Sequence, residues 1–299
     1  MEALITDIQR FSLTDGDGIR TTVFFKGCNM HCTWCHNPET ISAQPELMFY
    51  TNKCIGCGKC FAACPNNAHR IEGDRHIIDR KACVNCGKCA AVCYAEALTM
   101  CGKAMSVEDV MKQVRQDIPY YEASGGGVTL SGGEVLCHRD FAVALTDACH
   151  AQGISVAVET NLSFPFETIA PLLEKTDLIM CDLKLFDDER HRAYTGVSNK
   201  HVLQNLRRID TLGIPIIVRT PLIPNVTDSE GNLTAIADYI KDMKHLRRYE
   251  LLNFNPLGEG KYIGLDKENV FASARPLSKE RLAHLGDTVA AMGVTVKII

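Results

Sequence analysis

The chain has 299 residues, near the upper end for one hydrophobic core, which favours a large domain that carries an insertion. Its 36 acidic and 32 basic residues give a net charge of −4, whereas a broad nucleic-acid surface requires clustered lysine and arginine. The start, MEALITDIQRF, lacks the pattern of a signal peptide, and no apolar run approaches the roughly 20 residues of a membrane helix. We therefore expect a cytoplasmic protein without nucleic-acid or membrane partners.

Cysteine is the residue type that is used abnormally, with 15 copies. Disulfide frameworks are typical of short exported chains, whereas clustered cysteines in a reducing compartment more often bind metals. All cysteines from Cys28 to Cys93 lie in spaced motifs, which predicts metal binding there. The others have no ligand spacing and are expected to be buried thiols: Cys101, Cys137, Cys149 and Cys181.

An apolar run, predicted as the first strand, leads into the sequence GCNMHCTWCHN. Here Cys28, Cys32 and Cys35 are spaced as C-x3-C-x2-C. Three thiolates without a fourth predict a four-iron cluster that leaves one iron open to a small molecule. A zinc site completed by His31 or His36 is the alternative, and a disulfide with one free thiol suits a reducing compartment less well.

Two copies of C-x2-C-x2-C-x3-C follow, CIGCGKCFAACP at 54–65 and CVNCGKCAAVCY at 83–94. In this pattern three cysteines bind one four-iron cluster, and the fourth ligates the other cluster. Zinc ribbons are the alternative, but they use separated C-x2-C pairs. The segment resembles bacterial two-cluster ferredoxins, with Tyr94 in place of the usual proline. The predicted ligand sets are Cys54, Cys57, Cys60 and Cys93 for one cluster, and Cys83, Cys86, Cys89 and Cys64 for the other.

Outside this segment, short apolar runs alternate with helical periods. This alternation predicts βα repeats and a parallel sheet with both faces covered, as in an open or closed (β/α) barrel. Functional residues of such folds gather at the carboxyl ends of the strands. The predicted strands are 21–27, 127–133, 154–161, 177–185, 214–223, 248–254 and 294–299. The predicted helices are 106–118, which begins with a capping box, 139–152, 166–175, 199–212, 229–243 and 278–292.

The cysteine loop, with Trp34 before its last cysteine, resembles the signature of the radical S-adenosylmethionine (AdoMet) superfamily. In that family the amino and carboxylate groups of AdoMet chelate the open iron, so the cosubstrate supplies the missing ligand. The segments DGDGIRTTVFFKGCNMHCTWCHNPE (15–39) and SGGGVTLSGGEV (124–135) resemble those of glycyl-radical-enzyme activating enzymes. The cysteine repeat matches the larger members of that group, which contain several clusters.

This resemblance implies an α/β fold, a partial (β/α)6 TIM-like barrel with an inserted bacterial ferredoxin-like α+β domain. The barrel is predicted over 1–47 and 101–299, and the insert over 48–100. The resemblance also assigns a set of residues to AdoMet: Trp34, Cys35, His36, Gly132, Gly133, Glu134, Asp182, Leu183, Lys184, Arg219 and Asn255.

The roles within this set also come from the family. The turn that ends at Glu134 holds the AdoMet amino group, and the alternative is a plain β-turn. Asp182 and Lys184 lie near AdoMet, where Asp182 also helps to bind a monovalent cation in some members; an ordinary ion pair is the alternative. Arg219 binds the AdoMet carboxylate or, alternatively, a structural carboxylate. Asn255 stands where relatives have a histidine near the ribose or adenine.

Trp34 and His36 flank the last cysteine of the first motif and are assigned to the adenine pocket. For Trp34, burial in the core is the alternative. Glu159, Thr160 and Asn161, at the end of the third predicted strand, are further candidates for the AdoMet site.

The predicted activity is that of an oxidoreductase, an activase that reductively cleaves AdoMet to a 5′-deoxyadenosyl radical. This radical removes a glycine Cα hydrogen from a partner glycyl radical enzyme, and no residue serves as general acid or base. Three 4Fe-4S clusters are expected, with flavodoxin or ferredoxin as the electron donor. The alternatives are a radical AdoMet enzyme that acts on a small molecule and an iron-sulfur electron carrier.

Overall fold

The computed structural model describes all residues from Met1 to Ile299. Its strands, in chain order, are β1 (Glu2–Ser12), β2 (Arg20–Phe25), β3 (Glu46–Phe49), β4 (His69–Glu72), β5 (Arg75–Ile78), β6 (Leu98–Cys101), β7 (Lys103–Ser106), β8 (Gly127–Gly132), β9 (Ser155–Thr160), β10 (Leu178–Asp182), β11 (Ile216–Leu222), β12 (Leu246–Asn253) and β13 (Val296–Ile298). Nine of them form the main sheet, in the order β13-β12-β11-β10-β9-β8-β2-β1-β7.

The pairings from β2 through β8, β9, β10, β11 and β12 to β13 are all parallel. Strand β1 pairs antiparallel with β2 and β7. The strands β13 and β7 lie at opposite ends of the order, so the sheet is open. The predicted α/β fold with a mostly parallel sheet is confirmed.

Helices cover this sheet. As the alternation predicts, each parallel strand except β13, the last in the chain, is followed by at least one helix. The helices are α1 (Lys59–Ala63), α2 (Lys88–Ala91), α3 (Val107–Val114), α4 (Ile118–Ser124), α5 (Arg139–His150), α6 (Phe166–Leu173), α7 (Asp188–Thr195), α8 (Lys200–Leu212), α9 (Glu230–Ile240), α10 (Glu259–Gly264) and α11 (Lys279–Ala290). Helix α3 begins with the predicted capping box, in which Ser106 and Asp109 each accept a hydrogen bond from the other's backbone N–H. None of the helices is both long and apolar enough to span a membrane.

The parallel strands are buried on both faces, which is why their sequences are continuous apolar runs. In β11, the adjacent side chains of Ile216, Ile217 and Val218 are all fully buried. A single cluster of 45 buried residues joins the sheet to its helices.

The first strand of the sheet was not predicted. Strand β1 pairs on both sides, yet most of its side chains are exposed or half-buried, so its sequence lacks a continuous apolar run. Helix α7 was also missed, because its sequence DERHRAYT is polar and buries only His191 and Thr195.

Residues 46–101, here called the cysteine-repeat unit, contain four short strands and the helices α1 and α2. Strands β3 and β6 pair with each other, as do β4 and β5, and neither pair joins the main sheet. Helices α1 and α2 each begin after a glycine with a positive φ, 71° at Gly58 and 74° at Gly87. The unit has its own core, made of Leu47, Phe49, Ala68, Ile78, Cys89, Ala97 and Leu98.

The connection between β1 and β2 packs directly on the backbone that leads into β8. A Cβ atom on Gly126 would lie 1.9 Å from the carbonyl oxygen of Ile19, so only glycine fits there. A Cβ atom on Gly231, in helix α9, would meet no atom within 4 Å.

We expect Gly126→Ala to destabilise the protein by about 1–3 kcal/mol or more, because backbone must move to admit the methyl group. The matched control Gly231→Ala should stabilise it by about 0.5–1 kcal/mol, since alanine has the better helix propensity. Urea unfolding of the two variants beside the parent chain measures both changes. An unchanged midpoint for Gly126→Ala would contradict the close approach.

Candidate active site

The loop that carries Cys28, Cys32 and Cys35 begins at the carboxyl end of β2. Its first residues are held by backbone hydrogen bonds, from Gly27 N–H to the carbonyl oxygen of Thr40 at 2.7 Å and from Cys28 N–H to that of Ile41 at 3.0 Å. Gly27 has a φ of 114°, which favours glycine. The chain can therefore turn sharply from the strand into the loop.

Two other elements fix the rest of this loop. The backbone N–H groups of His31 and Thr33 donate to the carbonyl oxygens of Thr195 and Tyr194, at 2.8 and 3.0 Å. On the opposite side, the hydroxyl of Tyr262 donates to the carbonyl oxygen of Cys35 at 2.8 Å. The positions of the cysteines therefore depend on helices α7 and α10 as well as on β2.

The three thiols of the loop are free, half-buried cysteines. Burial raises the pKa of Cys28 and Cys32, and it raises the pKa of Cys35 to about 12. The loop supplies three cysteine thiols, one fewer than the four protein ligands of a tetrahedral structural zinc site.

The Gly-Gly-Glu turn at the end of β8 lies directly against this loop. Gly133 N–H donates to the carbonyl oxygen of Phe25 at 2.9 Å, and Glu134 N–H donates to that of Gly27 at 2.8 Å. A Cβ atom on Gly133 would lie 2.3 Å from the Gly27 oxygen, and one on Gly132, where φ is 118°, would lie 2.2 Å from Phe25 N. Glycine is required at both positions, which is more than an ordinary turn demands.

The carboxylate of Glu134 is buried and accepts three hydrogen bonds. They come from the backbone N–H of Leu136 at 3.0 Å, the hydroxyl of Thr160 at 2.7 Å and the backbone N–H of Asn161 at 2.7 Å. Burial raises the pKa of Glu134 to about 7, although these hydrogen bonds lower it. The carboxylate thus ties the end of β8 to the end of β9.

Asp182 and Lys184 lie at the end of β10, and their side chains form an ion pair with a Nζ–Oδ2 distance of 2.7 Å. Burial lowers the pKa of Lys184, but attraction to Asp182, Cys32 and Cys28 outweighs it, and the net shift is upward. The other carboxylate oxygen of Asp182 is buried without a hydrogen-bond partner. Between them, Leu183 is fully buried. A lysine ammonium and an unpaired carboxylate oxygen therefore lie beside the cysteine loop.

Arg219, in β11, is buried among protein acceptors. Its Nε and Nη1 atoms donate to Glu250 at 2.8 Å and Glu159 at 2.9 Å, and its Nη2 donates to the carbonyl oxygen of Thr14 at 2.7 Å. This is the structural-carboxylate arrangement that the sequence left as an alternative. Two of its five N–H groups have no acceptor in these contacts.

Trp34 is buried in a small apolar cluster with Leu185, Ile223, Val226 and Phe254, at the same end of the sheet. Its ring centroid lies 5.9 Å from that of Tyr194.

His36 is exposed and lies against Gly258. A Cβ atom added to Gly258 would lie 3.5 Å from the Nδ1 atom of His36. Asn255 is also exposed, and its side chain accepts a hydrogen bond from Leu257 N–H at 3.0 Å.

Comparison with known proteins identifies the family. The model of the radical SAM superfamily matches residues 22–235. The benzylsuccinate synthase activating enzyme of Thauera aromatica is 40% identical, over 99% of this chain and 92% of its own length. The trans-4-hydroxy-L-proline dehydratase activating enzyme of Clostridioides difficile is 36% identical, over 100% and 99%. The chain belongs to the radical SAM superfamily and, within it, to the glycyl-radical-enzyme activating enzymes.

Solved structures agree with this assignment. A domain of the pyruvate-formate lyase-activating enzyme of Bacteroides vulgatus matches with a TM-score of 0.50 and 27% identity, covering 58% of this chain and 99% of that domain. A radical SAM methyltransferase of Sphaerobacter thermophilus shares the fold, with a TM-score of 0.54 and 13% identity, over 99% of this chain and 76% of that one. Membership of the superfamily implies an oxidoreductase with a 4Fe-4S cluster and AdoMet.

The other motif cysteines of this activating enzyme lie in the cysteine-repeat unit and are free. They divide between two cavities, a large one of about 400 Å³ and a much smaller one. Each cavity combines three cysteines of one repeat with the fourth cysteine of the other repeat. The large cavity is lined by Cys54, Cys57, Cys60 and Cys93, and the small one by Cys64, Cys83, Cys86 and Cys89.

Sequence reasoning missed two residues that support the site, since Tyr262 holds the cysteine loop and Glu250 holds Arg219. For Glu250 a signal existed, because a single acidic residue among apolar ones in a strand needs a buried partner, and Glu250 pairs in register with Arg219. For Tyr262, the contact joins distant segments and has no local signal. Thr160 and Asn161, which hold Glu134, lie in the segment after the third predicted strand that the sequence already indicated.

The contact between Gly133 and Gly27 leads to a prediction about the cluster. Gly133→Ala should displace the carbonyl group next to Cys28, and anaerobically reconstituted protein should lose about four irons per chain. The matched control is Gly260→Ala in α10, where a Cβ atom would meet nothing within 4 Å. Full iron content in Gly133→Ala would contradict the prediction, provided that the control also binds iron normally.

Proposed function

We propose that this chain is the activase of a glycyl radical enzyme. It reductively cleaves AdoMet to a 5′-deoxyadenosyl radical and removes a glycine Cα hydrogen from its partner, which leaves the partner with a glycyl radical. The observation that carries the proposal is the set of three half-buried cysteines on one loop. These thiols lie beside Lys184 and the Gly-Gly-Glu turn, and the loop supplies no fourth cysteine.

Cys28, Cys32 and Cys35 would hold the AdoMet-binding cluster. When bound, the cluster supplies the electron and AdoMet supplies the carbon radical, so the protein needs no general acid or base. The chain's own task is to bind and orient. The turn at Gly132 and Gly133 admits a ligand close to its backbone, because side chains there would collide with β2.

The polar groups around the loop match the charges of the methionine part of AdoMet. The unpaired Oδ1 atom of Asp182 is a free acceptor for an ammonium group or for the proposed monovalent cation. Arg219 retains two N–H groups for a carboxylate, although its other three are engaged. Lys184 adds a positive charge beside the thiols, which favours their anionic form.

A dry site and an accessible edge are both needed for this chemistry. The apolar cluster around Trp34 can exclude water at the carboxyl ends of β10, β11 and β12, where we also place the adenine between Trp34 and His36. We propose that the open sheet is a partial barrel over 1–47 and 101–299, whose gap admits the glycine loop of the partner. The open strand order supports this architecture.

We further propose that residues 48–100 are a ferredoxin-like insert with two more four-iron clusters, which would bring the total to three. The crosswise grouping of the cysteines in the two cavities supports these ligand sets. The insert clusters would relay electrons from a flavodoxin or ferredoxin to the AdoMet-binding cluster.

AdoMet cleavage is tested with anaerobic, reduced protein. We expect 5′-deoxyadenosine and methionine from AdoMet alone, and a glycine-centred EPR doublet once a glycyl radical enzyme is added. A glycyl radical enzyme encoded beside the gene of this chain would be the first partner to test. The control, Cys32→Ala, should release no 5′-deoxyadenosine.

Each rival function predicts a different outcome in the same assay. An electron carrier would release no 5′-deoxyadenosine, and an enzyme that acts on a small molecule would release it without forming a doublet on any partner. Zinc in place of iron at the three-cysteine loop would also contradict the proposal.

The crosswise ligand sets predict a pattern of non-additive iron loss. Cys64→Ala and Cys83→Ala should each lose about four irons per chain, and the double variant should lose no more, because both residues ligate one cluster. Combining Cys64→Ala with Cys54→Ala should lose about eight. Cys101→Ala, outside both cavities, is the control; additive loss for the first pair would contradict the crosswise sets.

A further inference from the structure

Two histidines lie between the two cavities of the cysteine-repeat unit. His76 lines the large cavity with Cys54, and His69 lines the small one with Cys64. The Nε2 atom of His76 and the Nδ1 atom of His69 are 2.8 Å apart, so the rings share a hydrogen bond. This pair therefore connects the surroundings of the two proposed clusters.

The pair also reaches the predicted ligands of the first cluster. The Nδ1 atom of His76 lies 3.8 Å from the Sγ atom of Cys54. The ligand atoms of Cys60, His69 and His76 all lie within 4.8 Å of one another. Two aromatic rings hold His76 in place, with centroid distances of 4.5 Å to Phe49 and 5.0 Å to Phe61.

With both histidines neutral, only one arrangement of protons satisfies all these contacts when Cys54 is a cluster ligand. A ligating thiolate has no proton and can only accept, so Nδ1 of His76 must donate to it. A neutral His76 then has a bare Nε2 atom, which accepts the Nδ1–H of His69.

The internal repeat provides a natural comparison, because the second copy lies 29 residues after the first. Strands β4 and β5 correspond to β6 and β3 under this shift, so His69 corresponds to Leu98 and His76 to Leu47. The leucines line the same two cavities in exchanged places. Leucine has no donor, so the second cluster has no counterpart of this hydrogen bond.

Asn85, whose side chain contacts the equivalent sulfur, does not replace the missing donor. The Oδ1 atom of Asn85 lies 3.8 Å from Cys83 Sγ, but Oδ1 already accepts a hydrogen bond from Leu47 N–H at 3.0 Å. A thiolate at Cys83 therefore faces an acceptor there rather than a donor.

We propose that His76 donates a hydrogen bond to the Cys54 thiolate and raises the reduction potential of the cluster held by Cys54, Cys57, Cys60 and Cys93. His69 is a positioning residue that fixes the tautomer of His76. Hydrogen bonds to the sulfurs stabilise the more negative, reduced state of a cluster, which is the physical basis of the effect. The inference rests on the proposed cluster content of the insert.

The test is EPR-monitored potentiometry at one fixed pH on the full chain. Replacement of Cys28, Cys32 and Cys35 by alanine leaves only the two insert clusters in the spectrum. On this background, His76→Leu copies the residue of the other repeat and removes the donor. His76→Asn keeps an N–H group near the Nδ1 position. The second cluster, whose potential should not move, is an internal reference.

We expect His76→Leu to lower the reduced-to-oxidised ratio of the first cluster about tenfold at a given potential, a shift of about −59 mV for one electron. His76→Asn should retain most of the parent potential, and His69→Leu should give a smaller negative shift. Equal potentials in His76→Leu and the parent would overturn the inference, as would equal potentials in the leucine and asparagine variants.

Iron analysis separates this inference from the proposed function. About eight irons per chain in the cysteine-replaced background support the two insert clusters. Zinc bound at Cys60, His69 and His76 instead would contradict the cluster assignment itself, and with it the inference. If His76→Leu fails to assemble iron, His69→Leu is compared with the parent and with His76→Asn instead. Loss of His69 frees the tautomer of His76, so the potential of the first cluster in His69→Leu should lie below the other two. Equal potentials in all three proteins would overturn the inference.

Discussion

The site depends on one close approach between two backbones. The cysteine loop leaves β2 and the Gly-Gly-Glu turn leaves β8, and the two contact through the carbonyl oxygen of Gly27, which accepts from Glu134 N–H at 2.8 Å. A side chain on Gly133 would occupy the same space. Because β2 and β8 are neighbouring parallel strands, their carboxyl ends deliver both segments to one point, and no long-range adjustment is needed to bring them together.

Charge burial is the second constraint on this end of the sheet. This end of the sheet holds four charged side chains among mostly buried residues: Glu134, Glu159, Asp182 and Arg219. An isolated charge in such surroundings would be costly. The structure solves this with pairs and networks: Arg219 between two glutamates, Lys184 on Asp182, and Glu134 on backbone donors. One oxygen, Oδ1 of Asp182, remains without a partner, and it lies where a cationic ligand is expected.

The sequence predicts the parallel sheet and the positions of most helices, because buried strands and amphipathic helices have strong local periodicities. It does not predict β1, whose side chains are mostly exposed, or α7, whose sequence is polar. The cysteine motifs are visible in advance because their spacing is local. The contacts of Tyr262, Thr160 and Glu250 are not, since each joins segments that are far apart in the chain and could be paired only once the sheet order was known.

The cysteine-repeat unit illustrates how a duplicated sequence can acquire two different sites. The ligand spacing, the glycine before each helix and the paired strands are the same in both halves, so the repeat places four cysteines around each cavity, although the cavities differ in size. Among the side chains that differ are those between the cavities, histidine at 69 and 76 and leucine at the equivalent positions 98 and 47. Since a ligating sulfur is sensitive to donors around it, such a substitution can change the electronic surroundings of one centre without altering its ligands. Two centres with the same ligand spacing but different reduction potentials can thus arise on one repeated backbone arrangement.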